Sequence, residues 1–245
     1  MEGEYAVERY KARGRVLMAR RDNVAKMVFA FLFSVMCAVL VMMVCDAICF
    51  YFVPRRLVDA ATVLSLVAAL TVYAMADVML LRLGVRAQAD GTDLFDFYKK
   101  GSGLSTSVAM GIGFLTEAMV LAFFYAYIEV FSLYVSRVLG EAVHGLCTLL
   151  TAFLVFVIVF YIGTGLFFLP FVAEKEKKGV FGLLIASQRA AKGNRIKAVK
   201  FILSFALLTF LSLFSLGVLF FVYVLPLYIL SYGAFVSEVL DYKEF

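Results

Sequence analysis

Leu149-Leu150-Thr151-Ala152-Phe153-Leu154-Val155-Phe156-Val157-Ile158-Val159 contains one hydroxyl and no charge, and it sits in a longer stretch with no Asp, Glu, Lys or Arg between Glu141 and Glu174. Hydrocarbon offers no water to the backbone, so each N–H and C=O of such a block must be bonded within the chain, which leaves helices and closed barrels. A barrel strand would alternate apolar and polar residues over about ten positions. Neither this block nor 201–224 alternates. The expected fold is all-α, a polytopic transmembrane helix bundle.

The whole chain agrees with that reading. Of its 245 residues 64% are hydrophobic and 17% charged, with 26 Phe and a mean hydropathy of +0.97, against an apolar share of about 45–50% in soluble domains. The first apolar run, 27–53, follows a basic stretch as a secretory signal would. It is too long for a signal's apolar core and lacks a small-residue cleavage site, so it reads as an uncleaved span.

Spans are expected at about 27–53, 58–81, 108–135, 146–172, 198–213 and 219–236, six in three hairpins of a single membrane domain covering 1–245. Pro54-Arg55-Arg56 supplies the first tight turn and a loop containing Gly140 the second. From Ala198 the chain stays apolar for some forty residues, about 60 Å as one helix and twice the hydrocarbon thickness. A break is required. Ser215-Leu216-Gly217 is expected to make it, with Pro226 kinking the sixth span.

Basic residues orient the bundle. Twenty of the 23 Lys and Arg fall in the arm 1–26, the segments 82–107 and 173–197 with their flanks, and the tail, while Arg55, Arg56 and Arg137 fall opposite. Basic loops are retained in the cytoplasm, so both termini are expected inside, in the cell membrane. In 173–197, Phe181, Leu184 and Ile185 can share a face with Lys177, Lys178, Arg189 and Lys192 nearby, the composition of an interfacial helix that meets anionic headgroups. A solvated connecting helix is the alternative. The arm, with Arg9, Lys11, Arg13, Arg15, Arg20 and Arg21, reads the same way. Inside-facing loops account for the basic pI, so nucleic acid is not an expected partner. Residues 19–28 and 190–199 echo each other weakly, suggesting that the first and third hairpins enter the membrane by one device.

Leu169-Pro170, Ser187 and Gly193, Ser204-Phe205, and Ser215-Leu216-Gly217 leading to Pro226 form a series that resembles a family of uncharacterised six-span bacterial membrane proteins, a domain of unknown function common in Gram-positive bacteria. The basic arm and Leu94-Phe95-Asp96-Phe97 fit as well, while Leu219 and Leu227 stand where a glycine and an aromatic are expected. The resemblance implies a topology and carries no functional residue.

Catalytic machinery is not visible. There is no GxSxG, HExxH or Walker-type loop and one histidine, so an enzyme is not expected, and no cofactor. Gly103, Ser107 and Gly111 recur every four residues, a spacing for close helix packing. Cys45, Cys49, His144 and Cys147 could meet at one depth as a zinc or copper site or as a disulfide; inert packing is the expected role. Four acids lie within apolar spans: Asp46, Asp77, Glu117 and Glu129. An ionised carboxylate there costs at least ~2.5 kcal/mol on insertion scales, and such residues usually face a bundle interior or a wet path. They could be protonated and bonded to Thr71, Thr116, Thr151 or Tyr161, bind a passing cation or proton, or pair with a partner subunit. Two functions follow: a transport-type bundle with a proton or cation path through Glu117, near mid-membrane, and Asp77, or a non-transporting scaffold or regulatory subunit that recruits lipid, a partner protein or a second copy of itself.

Overall fold

The computed structural model describes residues 2–19, 21–52, 58–87, 102–139, 141–176, 178–215 and 217–241. The expected turn at Pro54-Arg55-Arg56 and the Leu94-Phe95-Asp96-Phe97 stretch lie outside them. Among the described residues there is no strand, and eight α-helices follow in order: α1 (Glu2–Met18), α2 (Arg21–Phe52), α3 (Val58–Ala87), α4 (Ser102–Leu139), α5 (Glu141–Lys175), α6 (Val180–Ala191), α7 (Arg195–Leu213) and α8 (Leu225–Asp241). Among the described residues five stretches are long and apolar enough to cross a membrane: Val24–Tyr51, Ala60–Val85, Gly103–Ile128, Gly145–Lys175 and Phe220–Leu240. The protein is an all-helical, membrane-embedded chain. The expected fifth span forms α7, whose first turns carry Arg195, Lys197 and Lys200.

The chain breaks after α7 where a break was expected. Gly217 has φ 81°, the left-handed region open to a residue without Cβ. Its N–H bonds the Ser212 carbonyl at 3.2 Å, and Ser215 Oγ accepts the Leu219 N–H at 3.0 Å. Pro226 has no N–H to give the helix. Immediately before it, Phe220–Val224 forms a π-helical turn closed by Leu225 N–H on the Phe220 carbonyl, so the backbone takes in one extra residue there.

Backbones approach most closely where glycines face each other. A Cβ on Gly84 would stand 2.1 Å from the Ile229 carbonyl oxygen, and one on Gly233 2.0 Å from that of Gly84, so α3 and α8 touch main chain to main chain. Of the expected packing series, Gly111 faces Met75 on α3, with its Cβ position 2.9 Å from the sulfur. Gly103 and Ser107 are buried. Beside them Arg82, 2% exposed, donates from Nε to Glu174 at 2.6 Å and reaches Thr106 at 3.4 Å, tying α3, α4 and α5 together.

Burial divides the helices lengthwise. The basic end holds a packed core: Val78–Leu81 of α3, Leu166–Leu169 of α5, Ala190 and Ala191 of α6, and Leu227–Val236 of α8 are largely buried. Toward the other end α2, α4 and α5 are apolar yet exposed, as at Phe50 (82%), Phe123 (76%) and Phe156 (65%). A broad exposed apolar surface of this kind calls for hydrocarbon, not water, as its neighbour.

The arm departs from a helix merely resting among headgroups. α1 docks on α8: Gly14 packs against Ser231, Tyr10 meets Phe235 edge-on at 5.5 Å, and Arg9 pairs with Glu238. Burial, reinforced by the Glu238 charge, pushes the Tyr10 hydroxyl above its ordinary pKa, so it remains a donor to Glu238 at 3.3 Å. Lys11 Nζ bonds the Ser204 carbonyl at 3.0 Å. α6 buries Leu183, Ala186, Ser187, Ala190 and Ala191, and exposes Phe181 and Ile185. Both echo segments, 19–28 and 190–199, hold a junction between a short helix and a longer one, in different register: α2 begins at Arg21, whereas 192–194 is a turn with Gly193 at φ 83° and α7 begins at Arg195.

Candidate functional site

The four acids separate by environment. Asp46 on α2 accepts a hydrogen bond from Ser65 Oγ of α3 at 2.6 Å. Glu129 lies in α4 with its side chain outside the described ones. Asp77 and Glu117 are different, because each borders a cavity.

Asp77 lines a cavity of about 590 Å³ among α2, α3, α7 and the π turn with α8. Its aromatic walls are Phe31, Tyr73, Phe205, Phe210, Phe220 and Tyr228. Glu117 lines a second cavity, about 520 Å³, with Phe114, Phe156, Phe160, Gly163 and Thr164. Its Oε1 is buried without a hydrogen-bond partner, and it lies 2.9 Å from where a Cβ on Gly163 would sit. Ile202 and Leu203 of α7 line both cavities.

The threonine hydroxyls expected to satisfy the acids are otherwise engaged. Thr71, Thr116 and Thr151 donate to the carbonyls of Val67, Ile112 and Cys147 in their own helices, at 2.7, 2.8 and 2.8 Å. A β-hydroxyl on a helix reaches the carbonyl one turn back more readily than a neighbouring helix. Tyr161 lies under the Arg195 guanidinium, 3.6 Å from the ring centroid. Arg195 also donates to the Tyr161 carbonyl at 2.5 Å, Thr164 Oγ1 at 2.6 Å and Gln188 Oε1 at 3.0 Å. The sequence places Arg195 in a loop; the structure brings it to the fourth expected span, at the rim of the Glu117 cavity. Gln188 makes this possible by packing over Gly165, whose missing side chain leaves it room.

Cys37, Cys45, Cys49 and Cys147 are free thiols. The His144 side chain lies outside the described ones, and among the described residues no three of His, Cys, Asp and Glu gather as metal ligands. Sequence reasoning missed Ser65, Gly163, Arg195 and the Arg82–Glu174 pair. The small-residue run Gly163-Thr164-Gly165 was the available signal for the second of these.

No protein-family model, no curated protein and no solved structure matches the chain. The functional reading therefore rests on its own residues.

Proposed function

We propose that the chain is a transport-type bundle of the cell membrane, with six spans and both ends cytoplasmic, in which Asp77 and Glu117 belong to a proton or cation path. The observation that carries this reading is that each acid lines a cavity and that α7 contributes Ile202 and Leu203 to both. Carboxylates at this depth are costly to keep without a use. Asp46, already bonded to Ser65, is a structural acid in this reading.

Parity supports the sixth span. Arg9 near the start pairs with Glu238 near the end, so both ends lie on one side and the number of crossings between them is even. Among the described residues five helices are long and apolar enough to cross, and α7 is not one of them; in this reading α7, 19 residues long, supplies the sixth crossing. The distribution of Lys and Arg makes that side cytoplasmic, and the resemblance to a six-span family agrees. No step of the reading requires a covalent reaction or a cofactor.

The deciding experiment is cation- or proton-dependent flux into vesicles containing the purified protein. Glu117→Gln and Asp77→Asn should each abolish flux while the unfolding temperature stays near wild type. Flux unaffected by either change would favour the scaffold reading. What supports that second reading is the exposed Phe181 and Ile185 on α6 beside the exposed Arg189 and Lys192, a surface suited to anionic lipid. A scaffold would bind anionic vesicles with no flux, and Phe181→Ser with Ile185→Ser would weaken that binding.

A further inference from the structure

Within the transport reading, we propose that the Asp77 cavity is a binding site for a lipophilic organic cation. Among the described residues the cavity is walled by six aromatic side chains and holds a single carboxylate, that of Asp77. Aromatic faces attract a cation through the ring quadrupole, most strongly where water is excluded, and a box of such faces suits a diffuse charge wrapped in carbon. Asp77 supplies the one full countercharge. Hard metal ions need six or more oxygen ligands, or waters in their place. Here the side-chain oxygens are those of Asp77, Tyr73, Tyr228 and Thr209.

Two comparisons within the molecule sharpen the assignment. The Glu117 cavity has four aromatic walls, Phe114, Phe156, Phe160 and Phe167, where the Asp77 cavity has six. The Asp77 cavity has its own neighbouring cation in Lys11, whose Nζ lies 5.1 Å from the Phe205 ring centroid while bonding the Ser204 carbonyl and Glu8. That contact shows a cavity-lining ring already serving as a cation face. Asp77 itself forms no ion pair among the described residues.

The test uses tetraphenylphosphonium and tetraphenylborate, ions of one shape and opposite charge, titrated into the full chain in detergent. The expected result is saturable binding of the phosphonium at least tenfold tighter than of the borate. Asp77→Asn, isosteric and uncharged, should erase that preference. Tyr228→Leu and Phe220→Leu should weaken phosphonium binding several-fold, whereas Asp46→Asn, at an acid bonded to Ser65 and outside the cavity, should leave it unchanged. A retained unfolding transition establishes that each variant is folded. Equal binding of both ions would mean an apolar cavity that takes acyl chains, and would overturn the proposal, as would phosphonium binding insensitive to Asp77→Asn. Absent phosphonium binding together with Asp77-dependent proton flux would sink the organic-cation site and leave the path. Charge-selective binding without any flux would sink the path and leave the site.

Discussion

The Glu117 carboxyl rests on Gly163. A methyl group on that glycine would stand 2.9 Å from Oε1 and 3.9 Å from the carboxyl carbon, and it would touch nothing else within contact range. The atom in the way is the end of a flexible side chain. Gly163→Ala should therefore be tolerated in folding, since alanine gains about 1 kcal/mol of helix propensity over glycine and the carboxyl can swing aside. The expected outcome is an unfolding temperature within a few degrees of wild type and a several-fold loss of flux, read on the same vesicles.

Gly233→Ala should behave in the opposite manner. Its new methyl would meet main-chain atoms of Gly84 at 2.0 Å, which can yield only if α3 and α8 separate. Overpacking of this kind costs roughly 1–3 kcal/mol and often more. Thermal unfolding in detergent should show a clear drop for Gly233→Ala and for Gly84→Ala, in contrast to Gly163→Ala.

Arg82 and Glu174 form a pair with side-chain exposures of 2% and 19%. Removing one partner of a buried pair takes its countercharge from the other, a change worth roughly 3–5 kcal/mol, whereas replacing both with apolar residues of similar volume is often neutral. Arg82→Met and Glu174→Gln are each expected to destabilise the protein strongly. The double change Arg82→Met with Glu174→Met should recover most of the loss. A double variant no better than the singles would show that Thr106 and the surrounding helices depend on the guanidinium itself.

The docked arm separates charge from shape. Arg9 is well exposed and Glu238 only partly buried, so Arg9→Ala should cost no more than about 1 kcal/mol. Gly14→Leu introduces bulk where a single Cβ would already lie 2.4 Å from Ser231 Oγ, 3.2 Å from its backbone nitrogen and 3.3 Å from Leu227. It should lift α1 from α8. Limited proteolysis of the purified protein should cut within the arm of Gly14→Leu and spare that of Arg9→Ala.

Sidedness has its own measurement. A reporter fused after Phe245 should read cytoplasmic and one inserted near His144 external. A C-terminal reporter found outside would break the parity inferred from the meeting of the arm with α8, and would leave five crossings in place of six.

What the sequence discloses follows from the kind of constraint involved. Uncharged blocks such as 149–159 have few backbone solutions in hydrocarbon, so the all-helical fold is legible from them. The stop at Gly217 is legible because α7 cannot continue unbroken for twice the membrane thickness. Contacts between distant helices are another matter. Ser65 carries no mark tying it to Asp46, 19 residues away. Arg82 and Glu174 both add to the charge of expected loops, and only the approach of α3 to α5 makes them partners. Gly14 sits in a run of charges that reads as a solvated arm, and its purpose appears only against Ser231. For the candidate site, the acids are found from depth alone, whereas the aromatic box is assembled from five separate elements and cannot be counted along the chain.

The π turn before Pro226 decides which ring stands at the wall of the Asp77 cavity. A helix advances about 100° and 1.5 Å per residue, so expelling the one surplus residue from Phe220–Val224 would turn the preceding segment by that amount in a single step. Phe220, which lines the cavity, and Phe221, which packs with it against Phe31, stand on that turn. Proline cannot bond the carbonyl that a regular helix would offer it, so the regular form gains less here than elsewhere. The register held at this turn therefore sets whether Phe220 or its neighbour faces the cavity, so a one-residue deletion in 220–224 would alter the wall by a whole ring rather than by a small shift.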